Sequence, residues 1–119
     1  MAERIFISYA FKDEKNVDVA LRELQKRGII SEEENFLDPI AETASGFDLR
    51  ESIKIRIEAA SKIMILWTEN SANSQYVNYE AGMAIALGKP IFVVIPEESN
   101  VEIPNYLADM QVFRLGKDG

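Results

Sequence analysis

The chain contains no histidine and no cysteine. These absences remove Ser-His and Cys-His nucleophile pairs, thiolate zinc centres and disulfides from its possible chemistry. Any catalysis must use carboxylates, hydroxyls, amides, Lys or Arg, and no metal site is expected. No apolar run approaches the length of a membrane span, Met1-Ala2-Glu3-Arg4 lacks a signal-peptide pattern, and no Asn-x-Ser/Thr acceptor occurs. The expected location is the cytoplasm, with no membrane partner. A Gly-x-Gly-x-x-Gly fingerprint is also missing, which sets aside a Rossmann dinucleotide module. Basic residues are in deficit. Lys and Arg number 13 against 20 Asp and Glu, a net charge of −7, so direct binding to nucleic acid is disfavoured. A small anionic ligand in a local pocket remains compatible with that balance.

What is present fits one domain over 1–119: the chain has 119 residues, 47% of them hydrophobic, enough for a real core. Arg4-Ile5-Phe6-Ile7-Ser8-Tyr9 reads as a largely apolar first strand. Asp13 can cap a helix in which Val17, Ala20, Leu21 and Leu24 follow amphipathic spacing, and Gly28 ends it. Asn35-Phe36-Leu37 reads as a short second strand closing at Asp38-Pro39. A long loop over Ile40 to Phe47 precedes a helix from Leu49 to about Ala60, for which Asp48 and Glu51 form a capping-box-like pair. Lys62 to Trp67 is a third strand, Thr68 to Asn73 a polar loop, and Ser74 the cap of the next helix. Ile91-Phe92-Val93-Val94-Ile95 is a fourth strand, Asn105 to Met110 a short helix, and Val112 to Leu115 a fifth strand.

Strands alternate with helices, and the central strands are continuous apolar runs, as in sheets covered on both faces. The spacing predicts a flavodoxin-like, doubly wound, five-stranded parallel sheet in the order 2-1-3-4-5. Ligands bind such sheets beyond the carboxyl ends of the strands, at the switch point between strands one and three. Ser8, Tyr9, Ala10, Phe11, Asp38, Trp67 and Thr68 fall there, beside the first turns of the helix that carries Glu80.

The segment Tyr76 to Pro90 is the most informative part of the chain. It reads as a helix bearing one acid, Glu80, among apolar and small residues, with Gly88 as its stop and Pro90 blocking continuation. Tyr76, Glu80, Met83 and Leu87 share a stripe at helical spacing. A carboxylate on an apolar stripe is costly to bury unless it has a task or reaches water at the stripe's edge.

Phe6-Ile7-Ser8-Tyr9-Ala10 followed by Asp13, Phe36-Leu37-Asp38, the loop through Gly46, Ser74 with Tyr76 to Glu80, and Gly88-Lys89-Pro90-Ile91 together resemble, in order, the motifs of Toll/interleukin-1 receptor (TIR) domains. The resemblance covers almost the whole chain and is strongest to the compact prokaryotic, NAD-cleaving type. Tyr76 stands where many members have Trp, and Trp67 where a Ser is common. The chain stops soon after the fifth strand, where such domains usually add a helix, as expected of a domain excised from a longer protein. Glu80-Ala81-Gly82-Met83-Ala84 with Gly88-Lys89-Pro90 also resembles a segment of nucleoside deoxyribosyltransferases, in which that Glu attacks the anomeric carbon of the sugar.

The resemblance implies a chemistry. Cleavage of NAD at the nicotinamide–ribose bond passes through an oxocarbenium-like ribose. The leaving group is a cationic pyridinium that departs neutral, so no general acid is required. NAD would then be a substrate, with no bound cofactor. The catalytic residue implied is Glu80. Ser8, Tyr9, Ala10, Phe11, Asp38, Trp67 and Tyr76 are the substrate-side candidates, and Phe11 with Lys12 is placed to cover the ligand. Ile40, Ser45, Gly46 and Phe47 belong to the mobile BB loop implied for TIR–TIR assembly. The expected setting is defence, including antiphage defence, or signalling, with activity triggered by oligomerisation and a fused or partner sensor domain. The competing expectations are a non-catalytic TIR–TIR assembly module, in which Glu80 is a structural acid, and a deoxyribosyltransferase-like enzyme.

Overall fold

The computed structural model describes residues 4–30, 35–37, 46–96 and 101–115. Five strands, β1 (Arg4–Ser8), β2 (Asn35–Leu37), β3 (Lys62–Leu66), β4 (Ile91–Ile95) and β5 (Gln111–Arg114), form one sheet in the order β2-β1-β3-β4-β5. Every pairing is parallel, with Phe6 beside Leu37 and Ile63, Ile65 beside Val93, and Val94 beside Phe113. The flavodoxin-like order expected from the sequence is the order observed. The helices are α1 (Glu14–Lys26), α2 (Gly46–Ala59), α3 (Glu69–Ala72) and α4 (Gln75–Ala86), with single 3-10 turns at Phe11–Asp13 and Asn105–Leu107.

Side chains alternate across a strand, so each central strand feeds two cores. Phe6, Ile63, Ile65, Val93 and Ile95 face Ile53 and Ile57 of α2 and Val77, Ala81 and Ala84 of α4. Ile5, Ile7, Met64, Leu66 and Val94 face Ala20 and Leu24 of α1. The continuous apolar runs of β1, β3 and β4 therefore reflect burial on both faces.

Three boundaries differ from the sequence reading by more than one residue. Helix α2 begins at Gly46, so Gly46, Phe47 and Asp48 are helical and Asp48 is not the cap in front of Leu49. The stretch Thr68 to Asn73 is not a loop: Thr68 caps the short helix α3, its hydroxyl accepting from the Asn70 N–H while Ser71 Oγ accepts from the Thr68 N–H. The serine replaces the Glu or Gln that usually marks a capping box, which hid the signal. The short helix expected over Asn105 to Met110 is only the 3-10 turn Asn105–Leu107. Asp38, Ile40 and Ser45 lie outside the described residues.

Helices α1 and α4 end alike. Gly28 and Gly88 adopt φ of 73° and 68°, and both close Schellman motifs. In α4 the Gly88 N–H donates to Ile85 O at 3.0 Å and the Lys89 N–H to Ala84 O at 3.0 Å. Gly82, in contrast, sits mid-helix on the exposed side of α4 with open space where a Cβ would stand. The two glycines should respond oppositely to alanine. Gly88→Ala should cost about 1 kcal/mol, because a Cβ is strained at positive φ. Gly82→Ala should add roughly 0.5–1 kcal/mol through helix propensity. Urea denaturation of the two variants checks this, and equal shifts of the same sign would contradict it.

Candidate functional site

The parity that builds the cores also assembles the site. Ser8 shares the face of Phe6, two residues earlier on β1, and so points towards α4. The buried stripe of α4 is Val77, Glu80, Ala81 and Ala84, with Tyr76, Met83 and Leu87 half-buried along its flank. Glu80 therefore lies inside the buried face and not at its edge: it is 2% exposed. The small side chains of Ala81 and Ala84 let the helix approach the sheet closely enough for the Ser8 hydroxyl to donate to Glu80 Oε1 at 2.7 Å.

Burial penalises the charged form of the Glu80 carboxyl more than the serine hydroxyl favours it. Its pKa is pushed up from 4.5 to about 7. Near neutrality the group is thus poised between a carboxylic acid and a carboxylate, the kind of perturbation that clusters at functional sites.

Beside it opens a cleft of about 420 Å³, lined by Ala10, Phe11, Lys12, Asn70, Asn73, Ser74, Gln75 and Tyr76. Glu80 is not part of that lining; it lies one helical turn beyond Tyr76. Ser74 sets where α4 starts, its Oγ accepting from the Val77 N–H at 3.2 Å. Asp13, 3% exposed, follows the lining residues Phe11 and Lys12 and is bonded to the lining residue Asn70. Asp13 occupies the N-cap position of α1 but makes no side-chain cap there. Its carboxylate instead accepts from Thr68 Oγ1 at 2.5 Å and from Asn70 Nδ2 at 2.9 Å. This bridge between the turn after β1 and the turn after β3 had no sequence signal beyond an Asp near a helix start, because its partners are more than fifty residues away.

The structure places the substrate-side candidates in three groups. Ala10, Phe11 and Tyr76 line the cleft, and Ser8 holds Glu80. Trp67 is core, 2% exposed, its Nε1 donating to Glu102 O at 3.1 Å. Tyr9 has the opposite parity from Ser8 and packs with Ile5 and Ile7 on the α1 face, away from Glu80. Gly46 and Phe47 stand in the first turn of α2. Asn70, Asn73 and Gln75 join the cleft without having been singled out from sequence. Among the described residues no cluster of acids could hold a metal ion, and no helix is long and apolar enough to cross a membrane.

A TIR domain profile matches residues 5–119. Among solved structures, the TIR domain of a Toll-related receptor from Hydra magnipapillata matches with a TM-score of 0.68 and 19% identity, over 93% of this chain and 82% of that one. A CMP N-glycosidase from Clostridium botulinum matches with a TM-score of 0.55 and 17% identity, over 95% of this chain and 88% of that one. A 2-desoxiribosyltransferase from Leishmania mexicana matches at 0.54 and 20% identity, over 78% of this chain and 64% of that one. No curated protein sequence matches significantly. At these identities the structures share the fold.

The buried acid has a measurable cost. A carboxyl whose folded pKa lies above its unfolded value binds more protons in the native state between the two values. Stability should therefore be full below about pH 4.5 and fall as pH rises through about 7. Glu80→Gln removes that dependence. It should be more stable than the parent by roughly 3 kcal/mol at pH 8, with the gap closing towards pH 4.5. Denaturant midpoints of both chains across pH test this, and a constant gap would contradict it.

Proposed function

The chain belongs to the TIR domain family, and from that premise we propose that it cleaves NAD at the nicotinamide–ribose bond, with Glu80 as the catalytic carboxylate. The observation that carries the reading is the buried Glu80 carboxyl, with a pKa raised to about 7, at the carboxyl edge of the sheet beside a cleft with aromatic walls. In this reaction the C–N bond breaks and its electron pair goes to the pyridinium nitrogen, which leaves as neutral nicotinamide. The ribose C1 is left oxocarbenium-like, and the ionised Glu80 stabilises that positive charge. Water then attacks C1, loses a proton and gives ADP-ribose. Capture by a nucleophile of the same molecule gives a cyclic product instead. The two structural relatives whose names denote N-glycosidic chemistry support the direction of this reading.

Glu80 is 2% exposed, so the carboxyl must gain access to the ribose before chemistry. Self-association is the step we assign to that activation, in a signalling or defence setting. The same burial favours a second reading, in which Glu80 is a structural acid held by Ser8 and the domain works only as an assembly module.

The deciding experiment follows NAD by chromatography at high protein concentration and with a fused oligomerising segment. The parent chain should consume NAD, and Glu80→Gln should lose at least about a hundredfold in rate while staying folded. Because the ionised carboxyl is the active form, kcat/KM of the parent should rise with pH through about 7 and level above it. Equal turnover by Glu80→Gln would remove Glu80 from the mechanism. No turnover by either chain under forced assembly would favour the assembly module.

A further inference from the structure

The turn that follows β1 presents two side chains at the cleft, and it is held firmly. The Asp13 N–H closes it on Ala10 O at 2.8 Å, and the Asp13 carboxylate is anchored by Thr68 and Asn70. Phe11, 74% exposed, lies on this fixed turn with Lys12 beside it, and both line the cleft. An aromatic ring held in water gains no packing, whereas the flat face of a base or nicotinamide would cover it. Among the described residues lining the cleft, Lys12 carries the only formal charge and there is no carboxylate. That is a local inversion in a chain where acids outnumber bases by 20 to 13.

We propose that Lys12 reads the phosphate charge of the ligand, so that the cleft selects a nucleotide over the matching nucleoside. This assignment rests on the reading of the chain as an enzyme that cleaves an N-glycosidic bond. Lys12 supplies an ammonium, a point charge that attracts a phosphate oxygen without demanding one geometry, while Phe11 offers its ring to a base. Lys12 is a specificity residue: it binds the part of the ligand that does not react. Its removal should weaken ground-state binding and leave the chemical step almost alone.

The test compares NAD with nicotinamide riboside, which has the same scissile bond and no phosphate, in the parent chain, Lys12→Gln and Lys12→Arg. Lys12→Gln should raise KM for NAD about tenfold with kcat within about twofold, and lower the preference for NAD over the riboside about tenfold. Lys12→Arg should restore most of the loss, which a merely structural role would not predict. An unchanged KM, or equal losses on both substrates, would overturn the assignment and leave the cleavage reading standing. A parallel calorimetric titration of ADP into Glu80→Gln, with and without Lys12→Gln, separates the two failures. If no chain cleaves either substrate, an approximately tenfold loss of ADP affinity with Lys12→Gln upholds the phosphate subsite and sinks only the cleavage reading. ADP binding that ignores Lys12, or no ADP binding, overturns the subsite.

Discussion

The hydrogen bond from Ser8 to Glu80 is the constraint on which the rest of this edge of the molecule depends. A carboxyl in the buried stripe of a helix is tolerable only if its oxygens are partnered or its charge is suppressed. Here both happen in part: one oxygen accepts from Ser8, and the raised pKa keeps much of the population neutral near pH 7. Meeting that condition fixes several other choices. Ser8 must have the parity of Phe6. The next turns of α4 must be small, hence Ala81 and Ala84. The helix starts at its Ser74 cap and stops at Gly88.

A second buried acid serves a different purpose. Asp13 spends its carboxylate on Thr68 and Asn70, tying together two turns that emerge from neighbouring strands β1 and β3. In an open parallel sheet these are the turns that flank the switch point, where ligands bind. Glu80 receives one hydroxyl donor and Asp13 receives both a hydroxyl and an amide. The difference in donors suits a difference in role under the proposed reading: Asp13 ties the two turns together, and Glu80 keeps one oxygen for a ligand.

Much of this was legible in the sequence, for physical reasons that can be named. The strand order followed from alternating strands and helices with apolar central runs, and the end of α4 followed from Gly88 and Pro90. Glu80 stood out because one acid lay among apolar residues at helical spacing. What failed was local or long-range in a specific way. The start of α2 was missed because Asp48 and Glu51 imitate a capping box inside a helix that begins at Gly46. Helix α3 was missed because a serine replaces the expected Glu or Gln. Asp13 was misassigned because a residue at a cap position can bond elsewhere, and nothing local reveals partners on another turn. Tyr9 and Trp67 were placed at the ligand edge by position along the strand. Parity turns Tyr9 to the α1 face, while Trp67, on the face of Ile63 and Ile65, is buried there with its Nε1 bonded to Glu102 O.

The electrostatics of the site follow one logic under the proposed reading. A chain with net charge −7 must bring a phosphate-bearing ligand to a carboxyl without repelling it. A cleft lined by neutral amides and one lysine does the first part. The raised pKa of Glu80 helps with the second, because the neutral part of its population offers no opposing charge. Arrival of a cationic pyridinium reverses the balance, since a positive charge nearby favours the carboxylate. The Glu80 proton then passes to solvent, and the carboxylate stands where the oxocarbenium would form. Burial alone would make Glu80 a liability; under the proposed reading, burial beside a cleft that takes up a cation would make its charge conditional on the ligand.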